Sequence, residues 1–153
     1  MTTLPSVPKD ARDALPVDGK ASNFLKPLVL VVEDHEDTRF MLRYLMEARG
    51  CRVAEATDGE QAVHLAANLH PDLILMDTSL PLLSGLNATS RIRELATLND
   101  VPIVFLSGHA QPESRAAALA KGGDEYLVKP LKLGDLDRVV ERHLGKSASR
   151  AVS

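Results

Sequence analysis

The chain has 153 residues, 44% hydrophobic and 25% charged, which bounds it to one domain with an ordinary core and loose ends. Aromatics are only 3% with no Trp, which argues against a stacking surface for single-stranded nucleic acid, and one cysteine, Cys51, excludes an internal disulfide and a cysteine-rich metal site. The formal net charge of −3 is uneven: residues 27–144 carry 12 Lys/Arg against 18 Asp/Glu, while 1–26 are net +1 and 145–153 net +2, so the body has no electrostatic footprint for DNA.

Residues 1–26 hold Pro5, Pro8 and Pro16, mixed charge and no periodicity, and read as a flexible extension. They contain no apolar core for a signal peptide, and no apolar run anywhere is long enough to span a bilayer, so a cytoplasmic protein without membrane association is expected. Leu28 to Val32 is a wholly apolar, β-branched strand that ends in Glu33-Asp34. Asp37 or Thr38 can cap the following helix, which places Met41, Leu42, Leu45 and Ala48 on one face and stops at Gly50. Cys51 to Ala56 reads as a more exposed strand, with Cys51 a small apolar residue at its start. Asp58-Gly59 then opens a helix with Ala62, Leu65, Ala66 and Leu69 in helical register.

Leu73 to Met76 is a short apolar run between breakers, the signature of a strand buried on both faces, and it ends abruptly in Asp77. A third helix starts near Gly85 with Ala88, Ile92 and Leu95 inward, and Leu98-Asn99-Asp100 breaks it. Val101 to Leu106 is a fourth strand, ending in Ser107-Gly108. An Ala-rich helix runs from about Pro112 to Lys121, and Tyr126-Leu127-Val128 is a fifth strand ending in Lys129-Pro130. The last helix uses Leu136, Val139, Val140 and His143 inward, and residues 145–153 read as a short flexible tail. Five strands alternating with five helices over residues 27–144 predict an α/β fold: a doubly wound, flavodoxin-like parallel sheet in the order 2-1-3-4-5.

In such a sheet the ends of the first, third, fourth and fifth strands share one edge, and the first and third flank the switch point where ligands bind. Glu33, Asp34, Asp77, Ser107 and Lys129 therefore converge on one pocket. Three carboxylates this close repel unless a cation neutralises them, and Mg²⁺ suits an all-oxygen set that leaves room for phosphate oxygens. Asp77 is then a candidate carboxylate nucleophile toward a phosphoryl group, with Lys129 and the hydroxyl of Ser107 placed to meet its oxygens. Each residue alone has a duller explanation: a helix cap for Glu33-Asp34, a water-seeking lysine for Lys129, turn chemistry for Ser107. The conjunction at four strand ends carries the argument.

On these residues the chain resembles the receiver domain of two-component response regulators, over about residues 27–144. The resemblance implies that Asp77 is the phosphoacceptor and that Asp34 is a direct Mg²⁺ ligand with Glu33 as its partner. It further implies that Ser79 donates a backbone carbonyl to the metal and that Ser107 and Lys129 meet the phosphoryl group. The Lys129-Pro130 bond is expected to be cis, and Tyr126 matches an aromatic switch that turns inward when Ser107 moves. Leu80, Ser84 and Gly108 depart from the common family residues, and His109 stands where it could influence phosphoryl lifetime. The function implied is a stand-alone response regulator that takes a phosphoryl group from a histidine kinase or histidine phosphotransfer protein. It would signal through the fourth helix, fifth strand and last helix to a protein partner or a further relay step, as a monomer or a phosphorylation-dependent homodimer. It would not be an enzyme beyond its own phosphorylation and dephosphorylation. The alternative is a receiver-fold binding module that works without phosphorylation. An aspartyl phosphatase of the haloacid-dehalogenase type fits less well, because the acid/base Asp it needs is Ser79 here.

Overall fold

The computed structural model describes residues 26–152, so the expected N-terminal extension lies, but for its last residue, outside the described residues. The elements run β1 (Leu28–Val32), α1 (Glu36–Ala48), β2 (Arg52–Ala56), α2 (Gly59–Leu69), β3 (Leu73–Asp77), α3 (Gly85–Arg93), a 3-10 turn (Ala96–Leu98), β4 (Ile103–Ser107), α4 (Pro112–Ala120), β5 (Glu125–Val128) and α5 (Leu133–Val152). The strands form one parallel sheet in the order β2-β1-β3-β4-β5, as the pattern of apolar runs predicts. No helix of the described residues is long and apolar enough to cross a membrane.

Side-chain alternation divides the core into two layers. Leu30, Val32, Ile74, Met76, Ile103 and Phe105 pack against Ala62 and Ala66 of α2, Ala88 and Ile92 of α3 and Ala118 of α4. The intervening Val29, Val31, Leu73, Leu75, Val104 and Leu106 pack against Leu42 and Met46 of α1 and Leu136, Val139, Val140 and Leu144 of α5. Every residue of β3 and β4 is buried. Each fully buried Leu, Ile or Phe contributes about 1.5–3 kcal/mol, enough for this sheet to hold polar groups at its edge that are costly to bury. Cys51 belongs to the second layer, and burial pushes its thiol up to about 11, in keeping with its reading as a small apolar residue.

Helix boundaries differ from the pattern in instructive ways. Helix α1 starts at Glu36 with His35 as its N-cap, two to three residues ahead of the Asp37 or Thr38 cap expected, and no side chain caps it. Glu36 and Asp37 instead place negative charge in the first turn, where the helix dipole favours it. Its inner face is Leu42, Leu45 and Met46, whereas Met41 and Ala48 point outward. Gly50 takes φ 85°, the left-handed conformation expected after the helix. Asp58 and Ser84 cap α2 and α3, accepting from the backbone N–H groups of Gln61 and Asn87. Helix α3 ends at Arg93, with Leu98 buried by the 3-10 turn that follows. Helix α5 continues to Val152 through the stretch read as a tail. A single Gly145 costs a helix about 1 kcal/mol, and the Lys, Ala and Arg residues beyond it are good helix formers.

Candidate phosphoacceptor site

The carboxyl ends of β1, β3, β4 and β5 meet at one edge, as the topology requires. Asp77 is the last residue of β3, pairs in register with Leu106, and is 4% exposed. Its Oδ1 accepts from the backbone N–H of Ser79 at 3.2 Å and lies 3.5 Å from Lys129 Nζ. Lys129 follows β5, and its Nζ also donates to Glu33 Oε1 at 3.0 Å. Glu33, just after β1, is fully buried, while Asp34 is exposed at the rim. The Lys129-Pro130 bond is cis, as expected. Thus one ammonium bridges two buried carboxylates from strands on either side of the switch point.

This arrangement perturbs both partners of the bridge. Burial, then the nearby Glu33 charge, raise Asp77 to about 6, and Lys129 and the Ser79 N–H offset only part of this. For Lys129, burial works against the ammonium, but the hydrogen bond to Glu33 and the Asp77 charge outweigh it, so its pKa is raised. Lys129 stays protonated, and Asp77 is largely ionised at neutral pH. The site carries more negative charge than one ammonium balances, and its oxygen donors fit a hard divalent cation. The ligand atoms of Glu33, Asp34 and His35 lie within 4.8 Å of one another.

Local structure fixes these groups. Arg39 of α1 donates from Nη1 to the Glu33 carbonyl at 3.0 Å and from Nε to Glu55 Oε1 at 2.9 Å, tying the loop that carries the acidic pair to β2. Gly85 opens α3 hard against Asp77: a Cβ there would stand 2.0 Å from the Asp77 carbonyl oxygen. Ser107, the last residue of β4, is 1% exposed, and its Oγ accepts from the His109 N–H at 3.1 Å. A cleft of about 270 Å³ lies beside it, lined by Thr78, Ser79, Ser107, His109, Ser114 and Tyr126 among others.

Tyr126 is turned inward, 4% exposed, and its hydroxyl donates to the His109 carbonyl at 2.7 Å. Arg115 of α4 stands over the ring at 5.8 Å and donates to the Tyr126 carbonyl at 3.3 Å. The structure therefore brings Glu33, Asp77 and Lys129 into direct contact, with the Ser79 backbone on Asp77. Asp34 lies at the rim, and Ser107 and Tyr126 are joined through His109 across the adjoining cleft. Three residues escaped sequence reasoning. Arg39 and Arg115 gain their roles only from tertiary packing, and His35 carried a signal in its position directly after the acidic pair.

Comparisons with known proteins give the family. Residues 29–141 match the family described as the response regulator receiver domain. The chain belongs to that receiver family. Among curated relatives, the transcriptional regulatory protein PrrA of Mycobacterium bovis is 37% identical over 127 residues, covering 83% of this chain and 54% of that protein. The chain thus spans about half the length of the PrrA proteins it matches. An uncharacterized 14.6 kDa protein of Leptolyngbya boryana is 35% identical, covering 75% of this chain and 88% of the relative. Among solved structures, the receiver domain of the sensor histidine kinase PA1611 from Pseudomonas aeruginosa superposes with a TM-score of 0.74 at 36% identity, covering 78% of this chain and 98% of that one. That receiver was crystallised with a magnesium ion coordinated in its active-site cleft.

Proposed function

We propose that this receiver is a cytoplasmic phosphoryl acceptor, with Asp77 as the acceptor and a histidine kinase or histidine phosphotransfer protein as the donor. The observation that supports it most is the buried Asp77 carboxylate at the end of β3, 3.5 Å from the Lys129 ammonium that also holds the buried Glu33. Asp34, Asp77 and the Ser79 backbone carbonyl would hold Mg²⁺, with Glu33 beside them. The bound cation would supply neutralisation of the carboxylates and of the phosphoryl oxygens.

Ionised Asp77 attacks the phosphorus of a phosphohistidine. An O–P bond forms, the P–N bond breaks, and its electron pair leaves on the imidazole nitrogen. Lys129 keeps its proton throughout and pairs with a phosphoryl oxygen, and burial lowers the effective dielectric so that this pairing is strong. Ser107 exchanges its contact with the His109 N–H for a phosphoryl oxygen. Because His109 also holds the Tyr126 hydroxyl through its carbonyl, that exchange shifts populations on the face formed by α4, β5 and α5. The chemistry ends with the protein's own phosphorylation and dephosphorylation, and output passes to a protein partner or a further phosphotransfer step.

Incubation with acetyl phosphate and Mg²⁺ tests this. One phosphoryl group on the wild-type chain and none on Asp77→Asn supports it, and equal incorporation in both overturns it. A second reading has one observation in its favour: the fold's own contacts hold Tyr126 inward, with its hydroxyl on the His109 carbonyl. On that reading the fold is a binding module that works without phosphorylation, and Asp77→Asn would bind its protein partner as tightly as the wild type does.

A further inference from the structure

His35 is an unusual residue for its place. It is the N-cap of α1 (φ −77°, ψ 120°), yet its side chain makes no capping hydrogen bond. Ser, Thr, Asp or Asn would satisfy that position better, so the start of the helix does not explain a histidine here. Its imidazole is 80% exposed and its Nδ1 lies 3.9 Å from Glu33 Oε2. The backbone N–H of His35 donates to that same Glu33 oxygen at 3.1 Å, which fixes the backbone beneath the ring close to the acidic pair.

The distances permit a shared cation. Ligand atoms of Glu33, Asp34 and His35 lie within 4.8 Å of one another. Two ligands about 2.1 Å from one ion can be at most roughly 4.2 Å apart. A movement of well under 1 Å by an exposed side chain closes that gap. An imidazole is also the donor that changes which metal a site takes. Carboxylate, carbonyl and water suit Mg²⁺ and Mn²⁺, whereas imidazole nitrogen suits the later first-row transition ions, from Fe²⁺ through Co²⁺ to Zn²⁺.

We propose that His35 contributes a ring nitrogen to the receiver's divalent-cation site, making it a mixed oxygen–nitrogen centre that favours Co²⁺ over Mg²⁺. This rests on the reading of Glu33, Asp34 and Asp77 as the cation site. Oxygen-only sites also follow the general order of transition-ion affinities, so the distinguishing quantity is the change in preference when His35 alone is removed. The exposure of His35 means that a truncation there leaves the core intact.

The test uses the full chain with Mn²⁺, Co²⁺ or Mg²⁺ alone and no phosphodonor, in wild type, His35→Ala, His109→Ala and Asp34→Asn. Electron spin-echo modulation of bound Mn²⁺ is expected to show a directly bonded nitrogen in wild type and His109→Ala, and none in His35→Ala. Calorimetry is expected to give Co²⁺ binding at least about tenfold weaker in His35→Ala, with Mg²⁺ binding changed less than about twofold. Absence of the nitrogen signal in wild type, its survival in His35→Ala, or an equal loss of Co²⁺ and Mg²⁺ binding overturns the proposal. Asp34→Asn separates the two levels. If it abolishes ion binding while His35→Ala changes nothing, the role of His35 fails and the acidic site stands. If ions bind Asp34→Asn as tightly as wild type, the cation site itself is misplaced and both fail.

Discussion

Replacing Asp77 with Asn should stabilise the protein in the absence of divalent cations, and the size of the effect follows from the site. Asp77 has an ordinary value of 3.8 and stands at about 6 in the folded protein, chiefly because it is buried and secondly because Glu33 is charged beside it. The folded state thus holds its proton to higher pH than the unfolded chain does. Between about pH 4 and 6 the native state binds more protons, so stability falls as pH rises through that window and is level above it. Two pH units correspond to about 3 kcal/mol at 1.36 kcal/mol per unit, an upper bound for a group that keeps its Lys129 and Ser79 contacts. Asn is nearly isosteric and does not ionise, so it avoids this loss, and Lys129 retains its 3.0 Å bond to Glu33. Urea unfolding of both proteins in EDTA, from pH 4.5 to 8, isolates Asp77 because other groups cancel in the difference. Asp77→Asn is expected to gain on the wild type as pH rises, reaching about 1–3 kcal/mol by pH 7.5. A difference that does not change with pH, or one that favours the wild type increasingly at high pH, refutes the reasoning.

Lys129→Ala leaves Glu33 fully buried without its ammonium. Breaking a buried pair costs about 3–5 kcal/mol, and the partial exposure of Lys129 brings the expectation to roughly 2–3 kcal/mol at pH 7, measurable by urea unfolding. Lowering the pH should recover part of that loss as the carboxylates protonate. Gly85→Ala would set a Cβ 2.0 Å from the Asp77 carbonyl, and because the obstacle is backbone, a loss of about 1–3 kcal/mol is expected together with slower phosphoryl uptake. Tyr126→Phe removes the hydrogen bond to the His109 carbonyl. It should cost about 0.5–1.5 kcal/mol and loosen the ring, which amide hydrogen exchange across α4 and β5 would register as faster exchange than in wild type.

Much of the sheet and its polar edge was legible because parallel strands buried on both faces leave nearly unbroken apolar runs. Leu28 to Val32, Leu73 to Met76 and Ile103 to Leu106 announce themselves, and the polar residue ending each run marks the edge where the site forms. Once the order 2-1-3-4-5 is inferred, Glu33 and Asp77 end neighbouring strands, and Lys129, at the same edge two strands beyond β3, reaches both with its long side chain. The inner face of α1 was harder to read, because Phe40, Met41 and Tyr44 are apolar and exposed alongside the buried Leu42 and Met46. Periodicity cannot separate two apolar stripes on one helix. The tether from Arg39 to the Glu33 carbonyl and the placement of Arg115 over Tyr126 depend on contacts across the fold, and no local pattern encodes them. The inward Tyr126 likewise depends on the reach of its hydroxyl to the His109 carbonyl.

The most direct test of the account concerns the atom that accepts the phosphoryl group. An acyl phosphate is reduced by borohydride to an alcohol, so treating the phosphorylated chain with borohydride and mapping its peptides identifies the acceptor. Conversion of Asp77 alone to homoserine, dependent on prior phosphorylation and on a divalent cation, is the predicted result. Conversion at Asp34 or at another carboxylate, with Asp77 unchanged, would contradict the account.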